Sequence, residues 1–209
     1  MESAVVPLVA QLPVLALLPL ALVHRVRAPS LSMANGQWLA FARAAYAACG
    51  GHAGGRDTVL EDVALGRRVK EAGHRLLPLV SHSLVSVRMY RGSAAVWQGF
   101  GKNVYALAGG RPATFAAALA VFGLVAIYPW LGAALGVRGA LVPLALLVAV
   151  RACGALLFRH GIRSALLHPA GSMVLTAIAL KSYVGTRRGT MEWKGRRIVE
   201  AGARMRRAA

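Results

Sequence analysis

The sequence predicts an α/β fold in a small water-facing region, followed by a transmembrane helical region. Three observations lead there. First, 57% of the 209 residues are hydrophobic, and the excess is gathered into blocks. A chain so composed belongs first to the membrane class. Residues 113–134, 139–158 and 164–185 are each about as long as the roughly 20 residues that cross a hydrocarbon core. Second, residues 33–103 turn from continuous apolar to mixed sequence, with short stretches that fit strands and helices in alternation. Third, the chain carries 25 Lys and Arg against seven acids, and four of those acids, Asp57, Glu61, Asp62 and Glu71, fall close together. Scarce carboxylates so concentrated mark the place to look for chemistry.

A fourth apolar run, residues 4–23, follows only Met1, Glu2 and Ser3 and has no basic leader, which argues against a secretory signal. Pro7, Pro13 and Pro19 recur through it, and each removes a helical donor at about 3 kcal/mol. The run therefore reads as bent helices packed at a membrane surface or on a protein core. The formal charge of +18 does not point to nucleic acid, because the arginines flank apolar blocks instead of forming a stripe interleaved with aromatics. Anionic headgroups are the better partner. Cys49 and Cys153 stand alone, so neither a disulfide framework nor a zinc site is supported, and Cys153 reads as a small buried side chain. His52, His74 and His82 have no ligand spacing.

Within the middle region, residues 35–41 are compatible with a short strand and Arg43–Ala48 with one or two helical turns, stopped by Cys49-Gly50-Gly51. From Thr58 a helix follows, with Leu65, Val69, Ala72 and Leu76 on one face and Arg67, Arg68, Lys70 and Glu71 on the other, ending at Gly73. Residues 75–80 read as a strand and 93–107 as an amphipathic helix with Val96, Phe100, Val104 and Leu107 on one side. Glu61 and Asp62 head the first helix, where two carboxylates meet a positive helix end. Thr58-Val59-Leu60-Glu61 is a capping-box pattern, so a capping role is one reading of these acids. A catalytic role is the other.

The order of several blocks resembles the family 2 glycosyltransferases that attach sugars to carotenoid-like lipids. The blocks are Ala34-Asn35-Gly36-Gln37, Phe41-Ala42-Arg43 with Tyr46, and Gly50-Gly51-His52; then Glu61-Asp62-Val63-Ala64-Leu65 and Val69-Lys70-Glu71-Ala72-Gly73; then Arg88-Met89-Tyr90, Gly99-Phe100-Gly101-Lys102-Asn103 and Trp193-Lys194-Gly195-Arg196. The resemblance implies the C-terminal portion of a GT-A type nucleotide-sugar transferase domain, α/β in class. It makes Asp62 the general base that deprotonates an acceptor hydroxyl for inverting transfer, with Glu61 in support. Relatives carry a Gln-x-x-Arg-Trp signature on an interfacial helix, which this chain lacks. Trp97, Gln98 and Lys102 stand nearest to it as substrate-binding candidates, beside Arg88 and Tyr90, with Arg91 nearby. For Trp97 the alternative is an interface aromatic, for Lys102 a headgroup contact, and for Arg88, Tyr90 and Arg91 an anchor on lipid phosphates.

The implied partners are a nucleotide sugar, a lipid acceptor with a hydroxyl or carboxyl group, and the membrane. The implied cofactor is a divalent metal, Mg or Mn, for the full enzyme. Its Asp-x-Asp ligands do not occur in this sequence, where Glu2 is the only acid before Asp57. The expectation is therefore a fragment without the donor-binding half, inactive by itself, whose N-terminal half is truncated away, separately encoded or lost to a misassigned start. The domains expected are residues 1–32, an apolar packing segment; 33–112, the acceptor side of the transferase; 113–185, transmembrane or re-entrant helices; and 186–209, a basic tail. Eight basic residues in 186–209, with Arg159 and Arg163, place the tail and catalytic part in the cytoplasm of a multi-pass cell-membrane protein. The first two blocks then form a hairpin, and the third, broken by His168-Pro169 and Gly171, is re-entrant or interfacial. Two other classes stay open: a non-catalytic membrane subunit, and a small transporter component in which Arg151 and Lys181 act.

Overall fold

A computed structural model describes residues 1–15, 20–55, 58, 60–79, 84, 85, 87–193, 196 and 197. Pro19, Asp57, Val80, His82, Lys194, Gly195 and the tail from 198 onward lie outside the described residues. The chain divides into two compact units, Met1–Leu15 with Arg88–Ile198, and Ala16–Val87 with Val199–Ala209.

The α/β expectation is overturned, because the described residues are predominantly helical. The strands among the described residues are two-residue pieces, β1 (Glu192–Trp193) and β2 (Arg196–Arg197), paired antiparallel. Residues 35–41 form a turn and irregular chain instead of a strand. The Asn35 side chain accepts the Gln37 N–H at 3.1 Å and Trp38 N–H reaches the Asn35 carbonyl at 3.3 Å, so local side-chain bonding wins over extension. The other expected strand keeps only its pattern. Leu76 and Pro78 are partly buried while Leu77 and Leu79 are exposed, yet no neighbouring strand pairs with them among the described residues.

In the first unit, α1 (Glu2–Leu15) runs continuously through Pro7 and Pro13. What offsets the lost donors is burial: Ala4, Val5 and Leu8 enter a core with Val96, Phe100, Leu175 and Ile178. Each fully buried aliphatic contributes about 1.5–3 kcal/mol. The partners come from α5 (Gly92–Leu107) and α10 (His168–Arg188). A second cluster joins Tyr105, Phe115 and Ala179, and the Ser182 hydroxyl accepts the Tyr105 N–H at 3.1 Å. Gly171 lets α1 approach α10, since a Cβ there would sit 2.5 Å from the Ala4 carbonyl oxygen.

Two apolar helical stretches complete this unit. Pro112–Ala134 contains α6 (Pro112–Phe122), a π turn (Gly123–Ile127) and α7 (Tyr128–Ala134). Pro129 lacks the N–H an α-helix needs and crowds the carbonyl four residues back, which is the local cause of the widened turn. Arg138–Leu157 contains a 3₁₀ turn and α8 (Leu141–Leu157). Both stretches are long and apolar enough to cross a membrane, and only 22% and 17% of their windows are buried inside the protein. A soluble core helix would be mostly covered. After α8 come α9 (Arg163–Leu166) and α10, which starts at His168 and runs through Gly171 unbroken to the left-handed Gly189.

The second unit contains α2 (Leu20–Arg25), α3 (Arg43–Ala48) and α4 (Glu61–Glu71), and α4 supplies Leu65 and Val69 to a small core with Cys49, against which Leu39, Phe41 and Leu76 pack. Gly50 and Gly73 take positive φ where the sequence stops its helices. Lys70 is buried, and its ammonium donates to the carbonyls of Val26 at 2.9 Å and Leu31 at 2.7 Å. Burial lowers its pKa.

Two expected outcomes follow from the first unit. Gly171→Val drives a side chain into the Ala4 carbonyl and cannot be absorbed by a rotamer change, so it destabilises by about 1–3 kcal/mol or more. Thermal unfolding in detergent checks this against Met173→Ala, an exposed change on the same helix that leaves the midpoint in place. The second concerns Glu2, which accepts the Gly92 N–H at 2.6 Å and pairs with Arg88 at 3.1 Å. The Gly92 amide first, and then Arg88, hold its carboxyl below the usual 4.5. A depressed carboxylate contributes stability above its unfolded pKa and loses it as pH falls through the lower folded value. Acid titration of unfolding therefore finds a steeper loss below about pH 4.5 in the native chain than in Glu2→Gln, and equal slopes would refute the pairing.

Candidate functional site

The acidic pair lies at the start of α4. Glu61 is its first residue and is exposed, whereas Asp62 is partly buried. The capping box does not form: the cap position is Leu60, and no side chain caps the helix there. The helix begins two residues later than a Thr58 cap would set it. Asp62 supplies the missing acceptor in another way. Its Oδ1 accepts the Val63 N–H at 2.8 Å and its Oδ2 accepts the Gly36 N–H at 2.8 Å. A Cβ at position 36 would meet Asp62 Oδ2 at 3.4 Å, an ordinary contact, so the amide and not the missing side chain carries the interaction. The hydrogen bond spans 26 positions of sequence and pins the Asn35-Gly36-Gln37 turn against the helix head.

A carboxylate offers about four acceptor positions, so two backbone bonds leave Asp62 able to receive a further proton donor. Around it, Arg68 ties the segment down by donating to the Cys49 and Gly51 carbonyls at 3.2 and 2.8 Å. Tyr46 hydroxyl and His52 Nδ1 meet at 2.7 Å, and the same hydroxyl accepts the His52 N–H. His52 thus has a local structural partner. No group of three or more His, Cys, Asp or Glu among the described residues could hold a metal ion. The described side chains do not fit the divalent metal that the resemblance implies.

The other candidates belong to the first unit, on or just before α5. Arg88 is exposed and engaged by Glu2 through both carboxylate oxygens. Tyr90 packs edge-on against Phe100, over a Gly99 that leaves it room, and burial raises its phenol pKa. Trp97 is partly buried and carries the Lys181 ammonium 5.6 Å from its ring centroid. Gln98 is exposed and Lys102 partly buried. Four residues apart, they share one face of α5. The structure therefore groups Gln98 with Lys102, gives Arg88 and Tyr90 protein partners, and assigns the Asp62 pair to a different unit.

Sequence reasoning named Arg151 but missed the buried polar cluster around it. Arg151, 1% exposed, donates to the Ser164 carbonyl at 3.1 Å and lies 3.5 Å from the Pro7 carbonyl. Nearby, Trp130 Nε1 donates to His168 Nδ1 at 3.2 Å, and Ser172 stands one helical turn beyond His168. The signal was present in an arginine inside an apolar block and in the His168–Ser172 spacing of four. Its bonds run to backbone carbonyls and among its own members, an arrangement that holds segments together. Cys153 is exposed, not buried as its apolar surroundings suggested. No protein-family model matches this chain, and neither a curated protein nor a solved structure does.

Proposed function

We propose that this chain is the acceptor-side, membrane-held part of an inverting lipid glycosyltransferase, with Asp62 as its general base. One observation supports the reading above the others: the Asp62–Gly36 hydrogen bond brings together two of the sequence blocks on which the resemblance rests, Asn35-Gly36-Gln37 and Glu61-Asp62. A base must be fixed in position to act on a proton within hydrogen-bond reach. Two backbone amides fix this one, and half of its acceptor capacity stays available.

In the proposed step an acceptor hydroxyl donates to Asp62, and its proton passes to the carboxylate as its oxygen attacks the anomeric carbon. The new carbon–oxygen bond forms on the face opposite the leaving nucleoside diphosphate, whose bond to that carbon breaks. Glu61 keeps the helix head negative. The acceptor is a polyprenoid, carotenoid or glycerolipid. The two stretches form a hairpin whose open end, with Arg111, Arg159 and Arg163, lies in the cytoplasm.

A second reading has its own support. Both Asp62 oxygens already serve backbone amides, which a non-catalytic membrane subunit would also need. One substitution separates the two. Asp62→Asn keeps the size and one acceptor oxygen but cannot take a proton. For a base, lipid glycosylation by membranes expressing the chain from its native locus falls about 10²- to 10⁴-fold, with membrane insertion unchanged. Glu61→Gln leaves the rate within a few-fold, as about 0.3–1 kcal/mol of helix-end electrostatics would. A normal rate for Asp62→Asn, or an equal fall for both variants, ends the assignment.

A further inference from the structure

We infer that Trp38 is the acceptor platform of the Asp62 site, and that the site takes an uncharged apolar alcohol in preference to one carrying a phosphate. The inference rests on the reading of Asp62 as a base and adds the residue that holds the substrate against it.

The placement follows from contacts within the second unit. Asp62 Oδ2 accepts the Gly36 N–H at 2.8 Å, and Trp38 closes the same turn by donating its own N–H to the Asn35 carbonyl at 3.3 Å. A turn closed in this way keeps its end residues within about 7 Å of each other. The Trp38 backbone therefore stands two residues from an amide that is bonded to the carboxylate. The chain on either side of the turn is held as well. Before it, Ala34 lies against α4, since a Cβ on Gly66 would come 3.0 Å from that of Ala34. After it, Leu39 and Phe41 pack on the core of Cys49, Leu65 and Val69. Between these attachments residues 35–38 are all exposed, and Trp38 leaves 59% of its surface open.

Single apolar residues on a surface need no explanation. Trp38 differs because its turn is tied to a carboxylate that keeps acceptor positions available. A large apolar surface beside one fixed polar group is the composition of a small-molecule site. The indole offers more contact area than any other side chain of the turn and holds it with few rotatable bonds. A lipid alcohol longer than the turn reaches both the ring and the carboxylate. Charge then selects among such alcohols. Neither Glu61 nor Asp62 forms an ion pair among the described residues. A phosphate on the acceptor would meet two acids without a counter-ion, and like charges brought together oppose binding. A neutral hydroxyl donates to Asp62 without that opposition.

The full chain is labelled with 5-fluorotryptophan, and the fluorine resonance of Trp38 is identified as the one missing from Trp38→Phe. The labelled chain in detergent is titrated with a polyprenol and with the phosphate monoester of the same polyprenol. The Trp38 resonance is expected to respond to the alcohol at a concentration about tenfold lower than to the phosphate, and Glu61→Gln combined with Asp62→Asn narrows that gap. In the lipid glycosylation assay, Trp38→Ala raises the acceptor KM about tenfold with kcat within a few-fold, and Trp38→Phe recovers most of the loss. No response of Trp38 to the alcohol, an equal or stronger response to the phosphate, or an unchanged KM in Trp38→Ala would overturn the proposal. So would equal shifts of all the tryptophan resonances, the mark of lipid partitioning into the detergent. Should Trp38→Ala fail to fold, the resonance of the native chain decides alone. Failure of the base reading looks different: Asp62→Asn then turns over normally while Trp38 still responds to the alcohol.

Discussion

A single buried guanidinium links three segments of the first unit that also pack on one another. Arg151 projects from α8 to the carbonyl that precedes Ala165 in α9 and toward the carbonyl of Pro7 in α1. A charge taken out of water costs several kcal/mol unless it is hydrogen-bonded, so the positions of α1 and α9 are constrained by the arginine's need for acceptors. The same α1 approaches α10 closely at Gly171 and shares the core of Val5, Leu8, Phe100 and Ile178. An apolar side chain at the same position would leave the two carbonyls to find other donors where water is scarce.

The second unit is organised by the same economy on a smaller scale. Lys70 gathers the carbonyls of residues 26–31, Arg68 those of Cys49 and Gly51, and Asp62 the amides of Gly36 and Val63. With so small an apolar core, long polar side chains on α4 substitute for packing. Asp62 is therefore part of the scaffold whatever else it does. A fixed orientation is also what a proton acceptor requires, so scaffold and chemistry do not compete for this residue.

The helices were largely legible in the sequence. Apolar spacing on α4 and α5 and the glycines that end α3 and α4 act through neighbours a few positions away. The strands were not, because a strand exists only by virtue of a partner. Residues 76–79 alternate as a strand would and still have nothing to pair with among the described residues. The Asn35 turn depended on a side chain choosing its own backbone over extension. The contacts that join distant segments were also hidden, since Arg151, Lys70 and Asp62 all bond to main-chain groups. Any residue type at Pro7, Leu31 or Gly36 offers the same carbonyl or much the same amide, so composition carries no trace of the choice. The identities of Asp62 and Glu61 were readable as candidates; the attachment of Asp62 to a turn 26 residues earlier was not.

The π turn at Gly123–Ile127 has a consequence for how this helix tolerates change in length. Such a turn accommodates one more residue than an α-turn would, and one residue is about 100° of rotation. Phe115 lies before it and Trp130 after it, and each meets α10, through Tyr183 and His168. The extra residue sets the phase between those two contacts. Shortening the stretch by one position would restore a regular helix and turn one aromatic away from α10, so the less regular form is the one in which both ends of the helix face α10 together.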